Sequence, residues 1–534
     1  MGVPKPFPNI EYKDTVRNPA FVLFGSRFYA DQTTIELLAE FLMVMFTNKW
    51  IGSDGPIQSP LPSLYDLENW ASTQGKKLKY GPEIRLNLKL LSLLRASPLD
   101  SRHTVHKTHY QELSREFSKK VQSHNRAADE VQEWIEDFLK GFQGAGFDRT
   151  WCAQNFYPIV RTFLVQETIW NHTFAKRNPP AGWVDTIYGF RSYYSVSRHR
   201  FLARGGELLY LQQCNLFSGK DVNRLAKELG YNSGDYQLDS LYHRLQQGFE
   251  ALEIAQLSVV NELADFIENL DSVTHEETNK NNKLECDWCP EESWPEAYLF
   301  AIEMSRILLA TLGPIERLEL LEFGCAMQVL RSMCAQSVRY GPVSSVSASH
   351  GNVLGYAWLF SPQQKSSRQQ RLASCENVRV VFRMIQTALK NEDIIAFVGG
   401  SGPATIERNY GHKYFNLLGK RLGIIYPPKG AEPRFVVTDQ LIRYLVLSTI
   451  EPGKSCTYEE FKRRIYAHHG IAVEGQELED AVIWSGLPLN SSVQPVGDSW
   501  FAQMLRAGGF LVELSDGCSL VRNPYDRSLR GSRY

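Results

Sequence analysis

The chain lacks any continuous apolar run long enough to span a bilayer. Its longest runs, such as Phe41 to Phe46, fall far short of the about 20 predominantly apolar residues that a spanning helix needs. No transmembrane segment and no membrane partner are predicted. The start, Met1 to Asn18, is Pro-rich and polar and has none of the continuous apolar core that marks a signal peptide. An excess charge of either sign is also missing, because 58 Lys and Arg against 59 Asp and Glu leave a formal net charge of −1. No whole-molecule field draws such a chain onto nucleic acid or an acidic surface, so any contact of that kind must be a local patch. Cysteines are few and odd in number, nine, and mostly embedded in apolar segments such as the one holding Cys325 and Cys334. That usage excludes a disulfide scaffold and points to reduced thiols in a cytoplasmic compartment.

Several chemistries have no signature. There is no nucleophile elbow, no His-Glu-x-x-His, and no set of paired carboxylates with a nearby lysine on a strand pair. The Gly399, Gly400, Ser401, Gly402, Pro403 loop has neither the Gly-Lys-Ser/Thr ending of a P-loop nor a third dinucleotide glycine. Cys286 and Cys289, with His275 upstream, form one Cys-x-x-Cys without a second pair, whereas a structural zinc needs four ligands. The expectation is therefore no cofactor, no metal and no catalytic residue.

What is present is ordinary for a folded protein: 43% hydrophobic and 22% charged residues in a chain of 534. That length exceeds one compact core and suggests three or four domains. Ile35, Leu38, Leu42 and Met45 repeat at helical spacing behind Asp31 as a cap, predicting a buried helix over 31–46. Further helices are expected at 82–95, 108–122, 127–142, 155–175, 295–311, 315–339 and 371–390, with no strand alternation in the first half. Between Leu238 and Leu270 apolar residues recur at every third or fourth position, which predicts one helix of about 33 residues, about 50 Å long. Residues 271–293 are polar and poor in apolar groups and read as a solvated linker. The division is thus an N-terminal helical domain over 1–270, a linker over 271–293, a second helical domain over 294–430, and a final module over 431–534.

That final module differs in kind. Thr438 caps one helix, Thr457 and Glu460 open a second, and a third runs over about 475–485. A short fourth helix precedes Phe510 to Leu514, and Asp516-Gly517 turns the chain back through Cys518 to Val521. Helices followed by a β-hairpin predict a winged-helix-like module on a mainly α, multidomain protein.

Candidate nucleic-acid contacts fall in two places. Tyr188, Arg191, Tyr193, Tyr194, Arg198, His199, Arg200 and Arg204 interleave cations with rings, a pattern suited to phosphates and stacked bases. The same residue types also cover helix junctions through packing. Lys462, Arg463 and Arg464 gather on the module's second helix, whereas its third carries Glu477, Glu479 and Asp480 and would repel phosphate. Ser218 to Gly230 followed by the Leu238 helix has the form of a second helix-turn-helix or an ordinary helical hairpin. Arg463 and His468, with four residues between them, match the spacing by which some helical ribonucleases stabilise and protonate a leaving oxygen.

The segment Asn18-Pro19-Ala20-Phe21-Val22-Leu23-Phe24-Gly25-Ser26-Arg27-Phe28-Tyr29, the long helical body and the module beginning Phe435-Val436-Val437-Thr438-Asp439 together resemble proteins of bacterial anti-phage defence islands. The family that this layout resembles is the accessory subunits of Druantia-type systems. The resemblance implies protein partners from the same defence system, including a helicase that supplies the ATP-driven chemistry, and assigns no functional residue. The reading is a non-enzymatic accessory or docking subunit of an antiviral complex, with DNA or RNA as a further partner. The alternatives are a divergent helical nuclease or effector, and a winged-helix transcriptional regulator.

Overall fold

A computed structural model describes the chain except residues 1, 13–17, 26–32, 53–54, 95–103, 143–155, 167, 196–204, 232–233, 254–257, 281–282, 342–348, 365, 400–409, 489–498, 515–517 and 527–534. It is mainly helical with a few small sheets. Among the described residues no helix is long and apolar enough to cross a membrane.

Helix α1, Thr34–Phe46, is mostly apolar and is buried from Glu36 to Phe46, its two carboxylates included. Its start is closed by a reciprocal capping box, Thr33 accepting from the Glu36 amide and Glu36 accepting from the Thr33 amide. The expected cap, Asp31, lies outside the described residues. The inserted helices α2 (Leu86–Leu94), α3 (Thr104–Lys120) and α4 (Ala128–Lys140) come next. Helix α5, Gly205–Leu216, is buried at every residue and crosses α1 at Gly206. A Cβ there would lie 2.3 Å from the Phe41 nitrogen and 2.5 Å from the Leu37 carbonyl oxygen, so the two backbones touch through a glycine.

The expected helix over 238–270 is replaced by α6, Leu238–Glu253, and α7, Ser258–Glu268. They serve different cores. Leu241, Leu245 and Phe249 enter a large core that runs from Phe7 to Val521. Val260, Ala264 and Ile267 enter a smaller one with Leu88, Leu91, Leu113, Phe117, Leu139 and Trp183, built on α2, α3 and α4. A three-four repeat reports only that one face is buried, not which neighbour buries it. The helix expected over 155–175 is corrected as well: Arg161–Phe163 is a single 3-10 turn, and Ile169–Trp170 pairs antiparallel with Tyr194–Ser195.

The described residues of 271–293, read as a solvated linker, are folded. Asp271 caps helix α8, Ser272–Asn279, by accepting from the Val273 and Thr274 amides. Strand β4, Leu284–Glu285, joins β2 (Lys49–Ile51) and β3 (Leu78–Tyr80), and β5, Cys289–Pro290, pairs with β1, Pro6–Phe7. The polar composition misled because the N-terminal segment supplies the backbone partners and because Thr274, Leu284, Cys286, Trp288 and Cys289 are buried. The division at 271–293 therefore does not separate two cores.

Helices α9 (Trp294–Leu309) and α10 (Pro314–Tyr340) form the centre of the large core. Behind them lies an unexpected four-stranded sheet in the order β10–β6–β8–β7: β6 is Trp358–Pro362, β7 Ile425–Tyr426, β8 Arg434–Val437 and β10 Ile471–Ala472. Both β8 and β10 run parallel to β6, and β7 runs antiparallel to β8. Strands β6 and β8 are buried at every residue, so they show no polar alternation to read. Helix α11, Arg368–Ala388, covers this sheet, and α12, His412–Arg421, packs on α11.

The last segment contains α13 (Asp439–Thr449), β9 (Ser455–Thr457), α14 (Tyr458–His469), α15 (Gly475–Trp484), α16 (Trp500–Ala507), β11 (Leu511–Glu513) and β12 (Ser519–Arg522). A three-stranded antiparallel sheet has the order β9–β12–β11. Helix α13 packs against α9 and α10 inside the large core, and Tyr444, Leu445 and Phe461 belong to it. The segment over 431–534 thus shares its core with the helical body.

Replacing Gly206 with Ala forces α1 and α5 apart, and overpacking of this kind costs roughly 1–3 kcal/mol or more. The expected outcome is a clear fall in melting temperature for Gly206→Ala. An unchanged melting temperature would mean that the crossing is looser than the backbone contact requires.

Candidate functional site

The densest cluster of titratable groups among the described residues lies where α9, α10, α13 and α14 meet. Glu303 on α9, Arg331 on α10 and the terminal pair His468 and His469 of α14 are all about 1% exposed. Helix periodicity places Glu303 inward among Phe300, Met304 and Ile307, and Gly470 in the left-handed conformation stops α14 just after the histidines.

Donor rules determine the proton positions. Arg331 donates from Nη2 to Glu303 Oε1 at 2.6 Å and to His469 Nδ1 at 2.9 Å. A guanidinium has no acceptor, so His469 Nδ1 carries no proton. Tyr444 donates to Glu303 Oε2 at 2.9 Å, and His468 Nδ1 lies 3.0 Å from Oε1. A carboxylate only accepts, so His468 donates from Nδ1, and its Nε2 accepts from Tyr231. The chain continues outward: Arg306 donates to the Tyr231 and Tyr236 hydroxyls at 3.1 Å each and to the Ser448 carbonyl at 2.8 Å, and Tyr236 donates to Glu451 at 2.9 Å.

Electrostatics agree with this arrangement. Burial pushes His468 down to about 4 and His469 down to about 3, which leaves both neutral at neutral pH. Burial opposes ionisation of Glu303, but the adjoining Arg331 guanidinium and the His468 hydrogen bond outweigh it and hold the carboxyl well below the usual range. The result is one buried ion pair whose remaining lone pairs are occupied by neutral donors.

Glu303, His468 and His469 are also the one group of three metal-ligand types that converge among the described residues, their ligand atoms within 4.8 Å of one another. The donor set does not fit a metal ion. The Arg331 guanidinium already stands within hydrogen-bond reach of Glu303 and His469, occupying the cation's place with a charge that cannot be removed.

The residues singled out in the sequence are scattered. Arg191 is exposed and donates to the Lys280 carbonyl. Tyr193 and Tyr194 are buried, Tyr193 stacked on Trp170 at 5.7 Å, so of these three tyrosines only Tyr188 faces solvent. Arg198, His199, Arg200 and Arg204 lie outside the described residues. Lys462 is buried, 2.9 Å from Glu459 and 3.5 Å from Glu474. Arg463 and Arg464 both pair with Glu460, at 2.5 and 3.0 Å. The spacing of Arg463 and His468 does not produce a joint site: Arg463 is on the solvent side, whereas His468 is sealed between Tyr231 and Glu303. Cys286 and Cys289 are buried, and burial raises the Cys289 thiol well above its ordinary value. The apolar run before Gly399 is a short helix, Glu392–Phe397, and the rest of that loop, 400–409, lies outside the described residues. Sequence reading missed Glu303 and Arg331 because a charged residue on an apolar helix carries no local mark of its partner.

No protein-family model, no curated protein and no solved structure matches the chain.

Two outcomes are expected. Glu303→Gln leaves Arg331 buried without its counter-charge and should destabilise by roughly 3–5 kcal/mol, whereas adding Arg331→Met should recover part of the loss. Failure of the second change to restore any melting temperature would contradict the ion-pair account. Acid should also weaken the fold. Between pH 6.5 and the lowered values of His468 and His469, the unfolded chain binds protons that the folded chain refuses, so stability falls as pH drops. At pH 5.5 this amounts to roughly 1 kcal/mol per histidine. His109, buried against Trp183 and likewise held neutral by burial, adds in the same direction. Melting temperature measured from pH 7.5 to 5.5 should fall, and a flat profile would refute neutral burial of these rings.

Proposed function

We propose that this chain is a docking subunit rather than a catalyst, and that it serves a multi-protein, cytoplasmic antiviral complex of the Druantia type. The observation that carries the docking reading is the β11 edge. Strand β11 lies at one edge of the sheet β9–β12–β11, with no further strand paired to it among the described residues, and Val512 within it and Leu514 just after it are 46% and 43% exposed. An unpaired strand edge with outward apolar side chains suits addition of a partner's strand or burial under a partner.

The finer reading of this region as a winged helix is supported by element order. Helix α13, strand β9, helices α14 and α15, then the β11–β12 hairpin occur in the winged-helix order, with β12 between β9 and β11, while β10 and α16 are additions, β10 after α14 and α16 before the hairpin. Its third helix, α15, carries Glu477, Glu479 and Asp480 and no cation, and Asp480 accepts from His350 at 3.0 Å. Those carboxylates repel a phosphate groove, which favours protein contact over transcriptional regulation. The buried Glu303 network fits the same view, because its carboxylate is occupied by Arg331, Tyr444 and His468 and is closed to substrate.

Co-expression with the helicase of a Druantia-type system tests this reading. The wild-type chain should co-purify with the helicase, and Val512→Asp with Leu514→Asp should abolish co-purification while leaving the melting temperature within a few degrees. Hydrolysis of ATP, or cleavage of DNA or RNA, by the chain alone would overturn it.

A further inference from the structure

Positive charge is concentrated far from the residues that the sequence singles out. Helix α11 carries Arg368, Arg371, Arg379 and Arg383 against one carboxylate, Glu376. Helix α12 carries Lys413, Lys420 and Arg421 and no carboxylate. This segregation occurs in a chain of formal net charge −1.

The arginines of α11 share one side of the helix. At 100° per residue all four fall within about 120° of arc, and Arg368 and Arg383 stand about 22 Å apart along the axis. All four are exposed. Arg379 and Arg383 pair with Glu376 at 3.1 and 2.7 Å, whereas Arg368 and Arg371 have no carboxylate partner among the described residues.

The opposite side fixes the helix in place. Ser374 donates to the Leu359 carbonyl at 2.8 Å and accepts from the Phe435 amide at 2.9 Å. Asn377 accepts from the Leu359 amide at 2.9 Å and donates to the Ala357 carbonyl at 3.1 Å. Helix α12 is joined to α11 through Gln386 and His412, 3.0 Å apart, and through the Phe382 and Phe415 rings. The row of cations is therefore presented on a rigid support.

We propose that the solvent face of α11, extended by α12, binds the phosphate backbone of a nucleic acid. A duplex carries one negative charge per about 1.7 Å of axis, so a straight row of guanidinium groups meets several phosphates at once. Arginine also suits phosphate, because its planar fork donates two parallel hydrogen bonds. A membrane-lying helix needs an apolar face, and Leu372, 54% exposed, is the single large apolar residue of α11 that is exposed rather than buried or half-buried. A protein interface has an apolar centre with charges depleted, which this face lacks. The proposal assigns nucleic acid to a surface separate from the β11 edge. It rests on the docking reading only for its role in a complex.

Fluorescence anisotropy of the full chain tests it, with labelled duplex DNA, single-stranded DNA and duplex RNA across 50–200 mM salt. Saturable binding of at least one probe is expected, with four contacts contributing a log–log salt slope of about −3.6 on duplex DNA. Replacing Arg368, Arg371, Arg379 and Arg383 with Gln should weaken binding at least about tenfold and flatten the slope, with melting temperature unchanged. Replacing the same four with Lys should keep most of the slope. Glu376→Gln releases two arginines and should tighten binding. Unaltered affinity in the Gln variant, or binding to anionic phospholipid vesicles with none to any nucleic-acid probe, overturns the proposal. Helicase co-purification by the Gln variant reports separately on the docking reading, so the two can fail independently.

Discussion

The Glu303–Arg331 pair sits where α9, α10, α13 and α14 converge, and the packing of the large core depends on keeping those two charges matched. Taking each charge out of water costs several kcal/mol, a loss that their mutual attraction offsets only when the remaining polar groups are also satisfied. Here Tyr444 and His468 donate to the carboxylate, while His469 and Gln328 accept from the guanidinium. Gln328 in turn donates to Gln212 on α5, so the polar network reaches the N-terminal half. A network this connected selects one register among four helices, because a shifted helix would leave a charge alone.

That constraint explains why the final segment is part of the body. The histidines close the network from α14, and Arg306 reaches the Ser448 carbonyl on α13. Strand β10 follows directly and completes the edge of the four-stranded sheet through β6. Helix, network and sheet thus hold the same stretch of chain from three sides. The β9–β12–β11 sheet belongs to the same segment, and among the described residues its two outer strands, β9 and β11, pair with no further strand.

Charge is handled differently inside and outside. The interior gives its cations local acceptors, carboxylates for Arg339 on Glu296 at 2.6 Å and for Lys462 between Glu459 and Glu474, and neutral oxygens for Arg306. The exterior separates them, with an arginine row on α11 and carboxylates on α15. A net charge near zero is compatible with strongly signed local surfaces, and only local fields act within a Debye length of about 8–10 Å.

Much of the helical layout was legible in the sequence, because an amphipathic helix encodes its own buried face and its own caps. Thr438 and Thr457 accept from the amides three residues on, as their positions implied, and strands β11 and β12 pair antiparallel as the apolar runs implied, the expected Asp-Gly turn itself lying outside the described residues. Partner choice was not legible. The repeat from Leu238 to Leu270 specified buried faces but not their division between two cores. The polar stretch over 271–293 folds only because strands from residues 6–7 and 78–80 reach it. Tyr193, Tyr194 and Lys462 looked like surface groups until the tertiary structure buried them. Glu303, Arg331 and the two histidines lie up to 166 residues apart in the chain, and their meeting is a property of packing. The sequence by itself determined most of the helices and the caps at Thr438 and Thr457, since each follows from near neighbours. The tertiary structure alone decided which charges pair, which face stays open and where the cations gather, since each depends on contacts between residues remote in the chain.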